Sequence, residues 1–336
     1  MTTGSADFDT TRLQLFLDEH FGAGEIHLER VGGGQSNPTF FLDHGGRHMV
    51  LRKQPAGPIL KGAHAVDREF RVLSALASTD VPVPKAILFH AEPDVVGTPF
   101  YLMERLDGRV FHDAALPGIE PSERQAIYFA MASTLAKLHR VDPNTVGLGD
   151  FGRSGNYFER QIARWSKQWA ESPTKNIPEL DKLAEWLASN LPPDDGRVAI
   201  AHGDFRLGNL LFHPTEPRLL AILDWELSTL GHPLADLGFC SMAWHTTPDE
   251  YGGIRGLDLA ELGIPHRAEF LARYYADSLL TRRLLPFHVT FSLFRFAVIF
   301  VGIADRARAG NAAGDNAAML APLAARFAQR GLELIR

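Results

Sequence analysis

Glu25–Val31, Thr39–Asp43 and Arg47–Lys53 read as short strands, and the glycine turns at Gly32–Gly34 and Gly45–Gly46 between them predict an antiparallel meander. The period then changes. Val66, Phe70, Leu73 and Ala77 recur at helical spacing, so Val66–Ala77 is expected to be a helix. Val81-Pro-Val-Pro84 ends it and leads into two further strands, Lys85–His90 and Pro99–Arg105. Beyond Gly108 the pattern turns helical. Ser122-Glu-Arg-Gln125 has the form of a capping box ahead of a helix carrying Ile127, Met131, Leu135 and Leu138. Asn156–Ala170 and Pro178–Asn190 read as helices, followed by a strand-rich island at Val198–Ala201, Leu210–His213 and Leu219–Leu223. From Pro233 onward the chain reads as helices again. Its most apolar stretch, Pro286–Ala304, carries His288 and Arg295 and is short for a bilayer span, so a buried helix of a bundle is expected. The layout is a small β-rich unit over residues 1–106 followed by a larger, mainly helical unit over 107–336.

Composition narrows the class. A chain of 336 residues suits two domains or one large bilobal unit, and 45% apolar with 22% charged residues excludes a disordered, collagen-like or coiled-coil protein. A net charge of −6 argues against a general nucleic-acid binder. The single Cys240 excludes a disulfide framework or a cysteine-rich zinc site and fits a reducing, cytoplasmic setting. The first ten residues, MTTGSADFDT, lack the basic start and apolar run of a secretory signal.

The chemistry concentrates in His202-Gly-Asp-Phe-Arg-Leu-Gly-Asn209, in a loop between two short strands, and in a later strand that ends at Asp224. A carboxylate, an amide five residues on and a second carboxylate at a strand end are what phosphoryl transfer from ATP requires. Asp204 would accept the proton of a substrate hydroxyl. Asn209 and Asp224 would supply hard oxygens to Mg²⁺. Arg206 stands where protein kinases place a lysine on the transferring phosphate. Alone, His-Gly-Asp would be an ordinary turn; the full spacing carries the argument.

Four further pieces follow in kinase order. Gly33 and Gly34 would let backbone N–H groups approach phosphate, with Ser36 as an added donor. Strand alternation puts Val50 and Arg52 on one face, Val50 against adenine and Arg52 toward the α/β-phosphates, while Lys53 on the other face is the fallback cation. Glu69 falls at the edge of the apolar stripe of its helix, and the Arg52 guanidinium is its expected partner. The backbones of Glu104 and Leu106 would bond the adenine edge, since an extended strand presents alternate groups to one side.

The motifs GGGQSN, VLRK, DREF, HGDFRLGN and LDWE resemble those of the aminoglycoside phosphotransferase and choline kinase-like family, over Gly32 to Asp236. That resemblance implies an α+β, protein-kinase-like bilobal fold with a small antiparallel β-rich N-lobe and a large, mainly helical C-lobe. It implies ATP and Mg²⁺ as cofactors, Asp204 as catalytic base, Asn209 and Asp224 as metal ligands, Glu69 as partner of Arg52, and Asp236 as a buttress of the catalytic loop. GGGQSNPTF, AHAVDREFRVL, VGLGDFG, RWSKQW and HGDFRLGNLLF are more narrowly similar to the kinase-like domain fused to some acyl-CoA dehydrogenases. This branch implies a small-molecule acceptor carrying a hydroxyl, a hydroxyacyl-CoA such as a 4-hydroxy acid thioester, with no nucleic-acid or membrane partner, in a monomer or homodimer. Two alternatives stand beside it, an antibiotic phosphotransferase and a nucleotide-binding pseudokinase. The second would normally lack the base or a metal ligand.

The acceptor side is less marked. From Ser241 onward 11 Arg face 9 Asp plus Glu, a near-neutral balance unlike a pocket for polycationic aminoglycosides. A CoA ester would prefer arginines, among them Arg282, Arg283 and Arg295, although each also has the ordinary reading of a solvated or paired surface cation. Trp165 and Trp169, four apart, read as helix-packing residues. His232 reads as a turn residue and Cys240 as a small buried hydrophobe.

Overall fold

The structure, a computed structural model, describes residues 7–32, 37–57, 64–153, 155–174, 176–308 and 317–336, with side chains of 317–321 excepted. Gly33, Gly34 and Ser36 lie outside the described residues. Two units divide the chain, one of Met1–Gly108 with Leu220–Glu226, the other of Arg109–Leu219 with Leu227–Arg336.

In the first unit the expected meander forms from β1 (Ile26–Arg30), β2 (Thr39–His44) and β3 (Arg47–Lys53), all antiparallel. Gly45 and Gly46 turn β2 into β3 with φ of 53° and 78°, the paired positive values that match a hairpin's twist. β4 (Ala86–His90) and β5 (Phe100–Glu104) complete a sheet in the order β1-β2-β3-β5-β4. On one face, Leu42, Met49, Leu51 and Leu102 pack with Leu13 and Leu17 of a helix, α1 (Thr10–Phe21), which is not among the expected elements. Its signal is short, an Asp9 cap accepting from the Thr11 N–H at 2.9 Å ahead of a narrow apolar stripe. α2 (Val66–Leu76) packs against β4 and β5 and buries Val66, Val72, Leu73 and Leu76. Ile222 donates its N–H to the Pro82 carbonyl at 2.9 Å, which ties Leu220–Glu226 to this unit.

The second unit contains α3 (Pro121–Arg140), α4 (Tyr157–Glu171), α5 (Pro178–Ser189), β6 (Ala199–Ala201) and β7 (Leu210–Phe212). β8 (Leu219–Ile222) leads away into the Leu220–Glu226 segment. After it come β9 (Thr229–Gly231), α6 (Pro233–Ser241), α7 (Leu259–Leu262), α8 (Arg267–Asp277), α9 (Pro286–Arg308) and α10 (Ala317–Glu333). β6 and β9 pair antiparallel. The expected capping box at Ser122 is absent. α3 begins at Pro121, two residues before the Glu123 start that a Ser122 cap implies, because the ring presets helical φ at N1 and needs no N–H partner; Glu120 at the N-cap makes no side-chain cap bond. α9 is long and apolar enough to cross a membrane by length and composition, and 78% of its most apolar window is buried within the unit.

Two histidines are folded in neutral form. Burial, then the neighbouring His232, pulls His288 down to about 3; burial, then Arg267 and Arg255, pulls His245 down to about 4. The unfolded chain takes up these protons near pH 6.5 while the folded chain does not, so stability falls as pH drops from 7 to 5. Each histidine contributes about 2 kcal/mol to that loss. Thermal melts should move down across this range, and His245→Gln should flatten the slope. A melting temperature independent of pH from 7 to 5 would contradict the burial of these rings.

Candidate active site

Strand alternation positions the first cluster. Met49 and Leu51 of β3 enter the core against α1, and Lys53 on their side sits under the Phe8 ring with Asp7 3.2 Å away. Val50 and Arg52 therefore take the opposite face, both buried. Arg52 Nε lies 2.8 Å from Glu69 Oε2, a contact off the N–H axis, and its Nη2 reaches Asp224 Oδ1 at 2.5 Å. The expected Arg52–Glu69 pairing is present, and Lys53 takes no part in it.

Glu69 is 1% exposed, and two residues that the sequence does not mark as its partners complete its shell. Asn37 Nδ2 donates to Oε1 at 2.5 Å and the Tyr101 hydroxyl to Oε2 at 3.0 Å. Burial pushes the Glu69 carboxyl up, and the Arg52 charge is the main influence opposing it. Burial opposes the Arg52 charge, but Glu69, Tyr101 and Asp224 outweigh it and hold the guanidinium protonated. Asp224 has φ of 63°, a left-handed conformation rare outside glycine and tolerated best by Asn and Asp. Its Oδ2 has no partner among the described residues.

At the end of β5 the Glu104 N–H donates to the Lys85 carbonyl and the Arg105 N–H to that of His48. Alternation returns the Leu106 N–H to the Lys85 side, where it has no hydrogen bond among the described residues. Glu104 is exposed and Leu106 half-buried.

The second cluster is the loop after β6. Its backbone is pinned by Asp236 of α6, which accepts from the His202 N–H at 2.7 Å and the Gly203 N–H at 2.9 Å. His139 Nε2 lies 3.3 Å from the same carboxylate, and its Nδ1 meets the Tyr274 hydroxyl at 2.8 Å. Burial would raise Asp236, but His139, followed by the His202 side chain and the Gly203 amide, outweighs it and holds the carboxyl below the usual range. Gly203 has φ of 84°, and a Cβ there would stand 2.7 Å from the Leu227 carbonyl oxygen, so only glycine serves. The Cys240 thiol donates to the Phe205 carbonyl at 3.0 Å, a loop contact beyond the packing role expected for it.

Within this frame Asn209 Nδ2 donates to the Asp204 backbone carbonyl at 2.9 Å and to Asp204 Oδ2 at 2.8 Å. Arg206 Nε approaches the same Oδ2 at 3.3 Å. One carboxylate oxygen is thus held by two donors, while Asp204 Oδ1 and Asn209 Oδ1 have no partner among the described residues. The structure places Arg52, Glu69 and Asp224 together in the first unit, and Asp204, Arg206 and Asn209 together in the second.

Against this loop, within the second unit, lies an apolar cleft. Arg206 and Gly208 form its loop side, and Met131, Phe239, Trp244 and Phe296 line it further in. Its carboxylate, Glu250, is neutralised by a two-pronged bond from Arg330 at 2.9 and 3.0 Å. The sequence gives no local sign of this cleft, because its walls come from helices far apart in the chain. Trp165 and Trp169 pack as expected, with Trp169 Nε1 donating to Asp181 at 2.7 Å. His232 caps α6. Arg283 lies 4.4 Å from the centre of the Tyr275 ring and Arg295 5.6 Å from that of Trp165, while Arg282 pairs with Asp195.

A family model described as "Phosphotransferase enzyme family" matches residues 27–281. Acyl-CoA dehydrogenase family member 11 of Gallus gallus is 42% identical over 317 residues, covering 93% of this chain and 41% of that protein. The chain thus spans about two-fifths of the length of this curated relative. Among solved structures, a candidate aminoglycoside phosphotransferase of Ralstonia eutropha is 45% identical, with a TM-score of 0.88 and 97% and 98% of the two chains covered. Aminoglycoside phosphotransferase APH(4)-Ia, in a ternary complex with AMP-PNP and hygromycin B, is 17% identical, with a TM-score of 0.62 over 96% and 99% of the chains. The last likeness is one of fold, the α+β architecture of protein-kinase-like phosphotransferases.

Proposed function

Since the chain belongs to the phosphotransferase enzyme family, we propose that this small-molecule phosphotransferase moves the terminal phosphate of Mg·ATP to the hydroxyl of a hydroxyacyl-CoA thioester, such as that of a 4-hydroxy acid. The observation that carries the reading is the hold on Asp204, one oxygen fixed by Asn209 and Arg206 and the other left for a hydroxyl. In this reading Asp204 accepts the hydroxyl proton as the oxygen attacks the terminal phosphorus and the bond from that phosphorus to the bridging oxygen of the leaving ADP breaks, and Arg206 offsets charge on the transferring group. Asp236 positions the loop and takes no proton.

On the nucleotide side Arg52 binds the α/β-phosphates and Glu69 holds Arg52 in place. Val50 covers the adenine, and the backbones of Glu104 and Leu106 bond its edge. Gly33, Gly34 and Ser36 keep the phosphate-cradling role that their residue types imply. The donor set suits Mg²⁺: Asn209 Oδ1 and Asp224 Oδ2 are hard oxygens without protein partners among the described residues. When bound, the ion neutralises charge on the phosphates.

The apolar cleft beside Arg206 supports an acyl acceptor. A polycationic sugar would need free carboxylates there, and Glu250 is already satisfied by Arg330. The identity to an acyl-CoA dehydrogenase family member points the same way. The presence of Asp204, Asn209 and Asp224 together counts against a pseudokinase. The buried Cys240 is compatible with a reducing, cytoplasmic setting.

Calorimetric titration tests the nucleotide half. Mg·ATP should bind the wild-type protein, and Asp224→Asn should weaken this metal-dependent binding by roughly tenfold or more. Unchanged Mg·ATP affinity in that variant would remove Asp224 from the metal site.

A further inference from the structure

A second cleft in the helical unit, with about 190 Å³ of room, is built from residues that the phosphoryl-transfer reading does not use. Arg153, Arg160, Arg197 and Arg282 line it, against Asp194 as its acidic member. Arg160 is spent on the loop, donating to the carbonyls of Gly155 and Arg153, and Arg282 pairs with Asp195 at 3.2 Å. Arg153 and Arg197 are exposed, and their side chains make no ion pair or hydrogen bond among the described residues.

Three helices begin at this cleft. Asn156 caps α4, His232 caps α6, and His288 lies in the first turn of α9. Each helix is long enough to direct the positive end of its dipole toward the opening, although capping already takes up the Glu159, Leu234, Ala235 and His288 N–H groups.

An independent sign of a ligand comes from His288, which lines the cleft and is 0% exposed. Its Nδ1 lies 2.9 Å from the Leu285 N–H and 3.3 Å from the Leu285 carbonyl; the shorter contact makes Nδ1 the acceptor and puts the proton of the neutral ring on Nε2, which has no partner among the described residues. A buried N–H donor without an acceptor costs free energy unless something fills the role. Arg153, Arg160, Arg197 and Arg282 outnumber Asp194 and Asp195, the latter shared by His232 and Arg282, so an anion fits.

We propose that this cleft is an oxyanion subsite that takes a phosphate group, with His288 Nε2 as buried donor and Arg153 and Arg197 as the charges that close on it. Two sources supply such a group, the phosphates of a CoA-type acceptor and free inorganic phosphate. The acceptor-borne source rests on the acyl-CoA reading above; the subsite itself does not. The distance is compatible with the first. α6 and α9 both run from this cleft to the apolar one, His232 to Cys240 and His288 to Phe296, eight residues or about 12 Å in each case at helical rise.

The test uses the full chain saturated with Mg·AMP-PNP, so that the nucleotide site is blocked. Binding of inorganic phosphate, coenzyme A and pantetheine is measured by calorimetry for wild type, Arg197→Gln and the Arg153→Gln/Arg197→Gln double variant. Wild type should bind phosphate, and the double variant should bind it at least tenfold more weakly with an unchanged melting temperature. Parallel weakening of coenzyme A, with pantetheine unaffected, assigns the acceptor's phosphates; weakening of phosphate alone assigns the free ion. Failure of wild type to bind either anion, or equal affinities in the double variant, overturns the subsite. Should the double variant fail to fold, Arg197→Gln alone decides, with a weakening of threefold or more expected. Absence of phosphoryl transfer to CoA thioesters would sink the acceptor reading and leave these affinities as they are.

Discussion

Asp204→Asn should retain Mg·ATP binding and lose turnover by roughly 100- to 10,000-fold, the usual contribution of a positioned general base. The substitution preserves shape. The new amide can still offer an oxygen to Asn209 Nδ2, and the loop amides of His202 and Gly203 stay fixed by Asp236. What disappears is the capacity to take a proton from the attacking hydroxyl. Nucleotide affinity by calorimetry and single-turnover rates separate the two effects. Unchanged turnover would remove Asp204 from its role, and lost nucleotide binding would mean that it serves the nucleotide instead.

Arg52→Met should destabilise the protein by about 3–5 kcal/mol, the range for removing one partner of a buried ion pair. The loss arises because Glu69, 1% exposed, would keep a carboxylate with only Asn37 and Tyr101 as donors. Glu69→Gln in the same chain should return most of that stability, because a neutral amide is far cheaper to bury than an unpaired charge. Nucleotide affinity should stay low in the double variant, since the cation assigned to the α/β-phosphates is gone. Denaturant unfolding provides the stabilities. A single variant as stable as wild type would show that the Arg52–Glu69 contact carries no weight in the fold.

The parts that were legible in the sequence are those set by short periods. Alternation along β3 separates Arg52 from Lys53, and helical phase turns Glu69 inward, so their pairing follows from local rules. The spacing from His202 to Asn209 encodes the Asp204–Asn209 hydrogen bonds, which span five residues. Contacts that depend on distant segments left no local trace. Asn37 and Tyr101 reach Glu69 across 32 residues each, and Leu220–Glu226 groups with the first unit although its chain neighbours belong to the second. The apolar cleft is assembled from α3, α6 and α9, whose inward faces look like ordinary core positions when read one helix at a time. α1 and the three-residue β9 fell below what periodicity registers, and at Ser122 a capping pattern gave way to the stronger preference of Pro121 for the first helical position.

In the proposed function Asp204 directs the terminal phosphate of ATP to a hydroxyl on an acyl-CoA. The most direct measurement follows label from γ-³²P-ATP into a 4-hydroxyacyl-CoA thioester, with an aminoglycoside as competing acceptor and Asp204→Asn as control. Label should appear in a phosphoester on the thioester's hydroxyl, stay out of the aminoglycoside, and fall at least 100-fold in the variant. Label found in the aminoglycoside alone, or transfer to the thioester undiminished in Asp204→Asn, would contradict it.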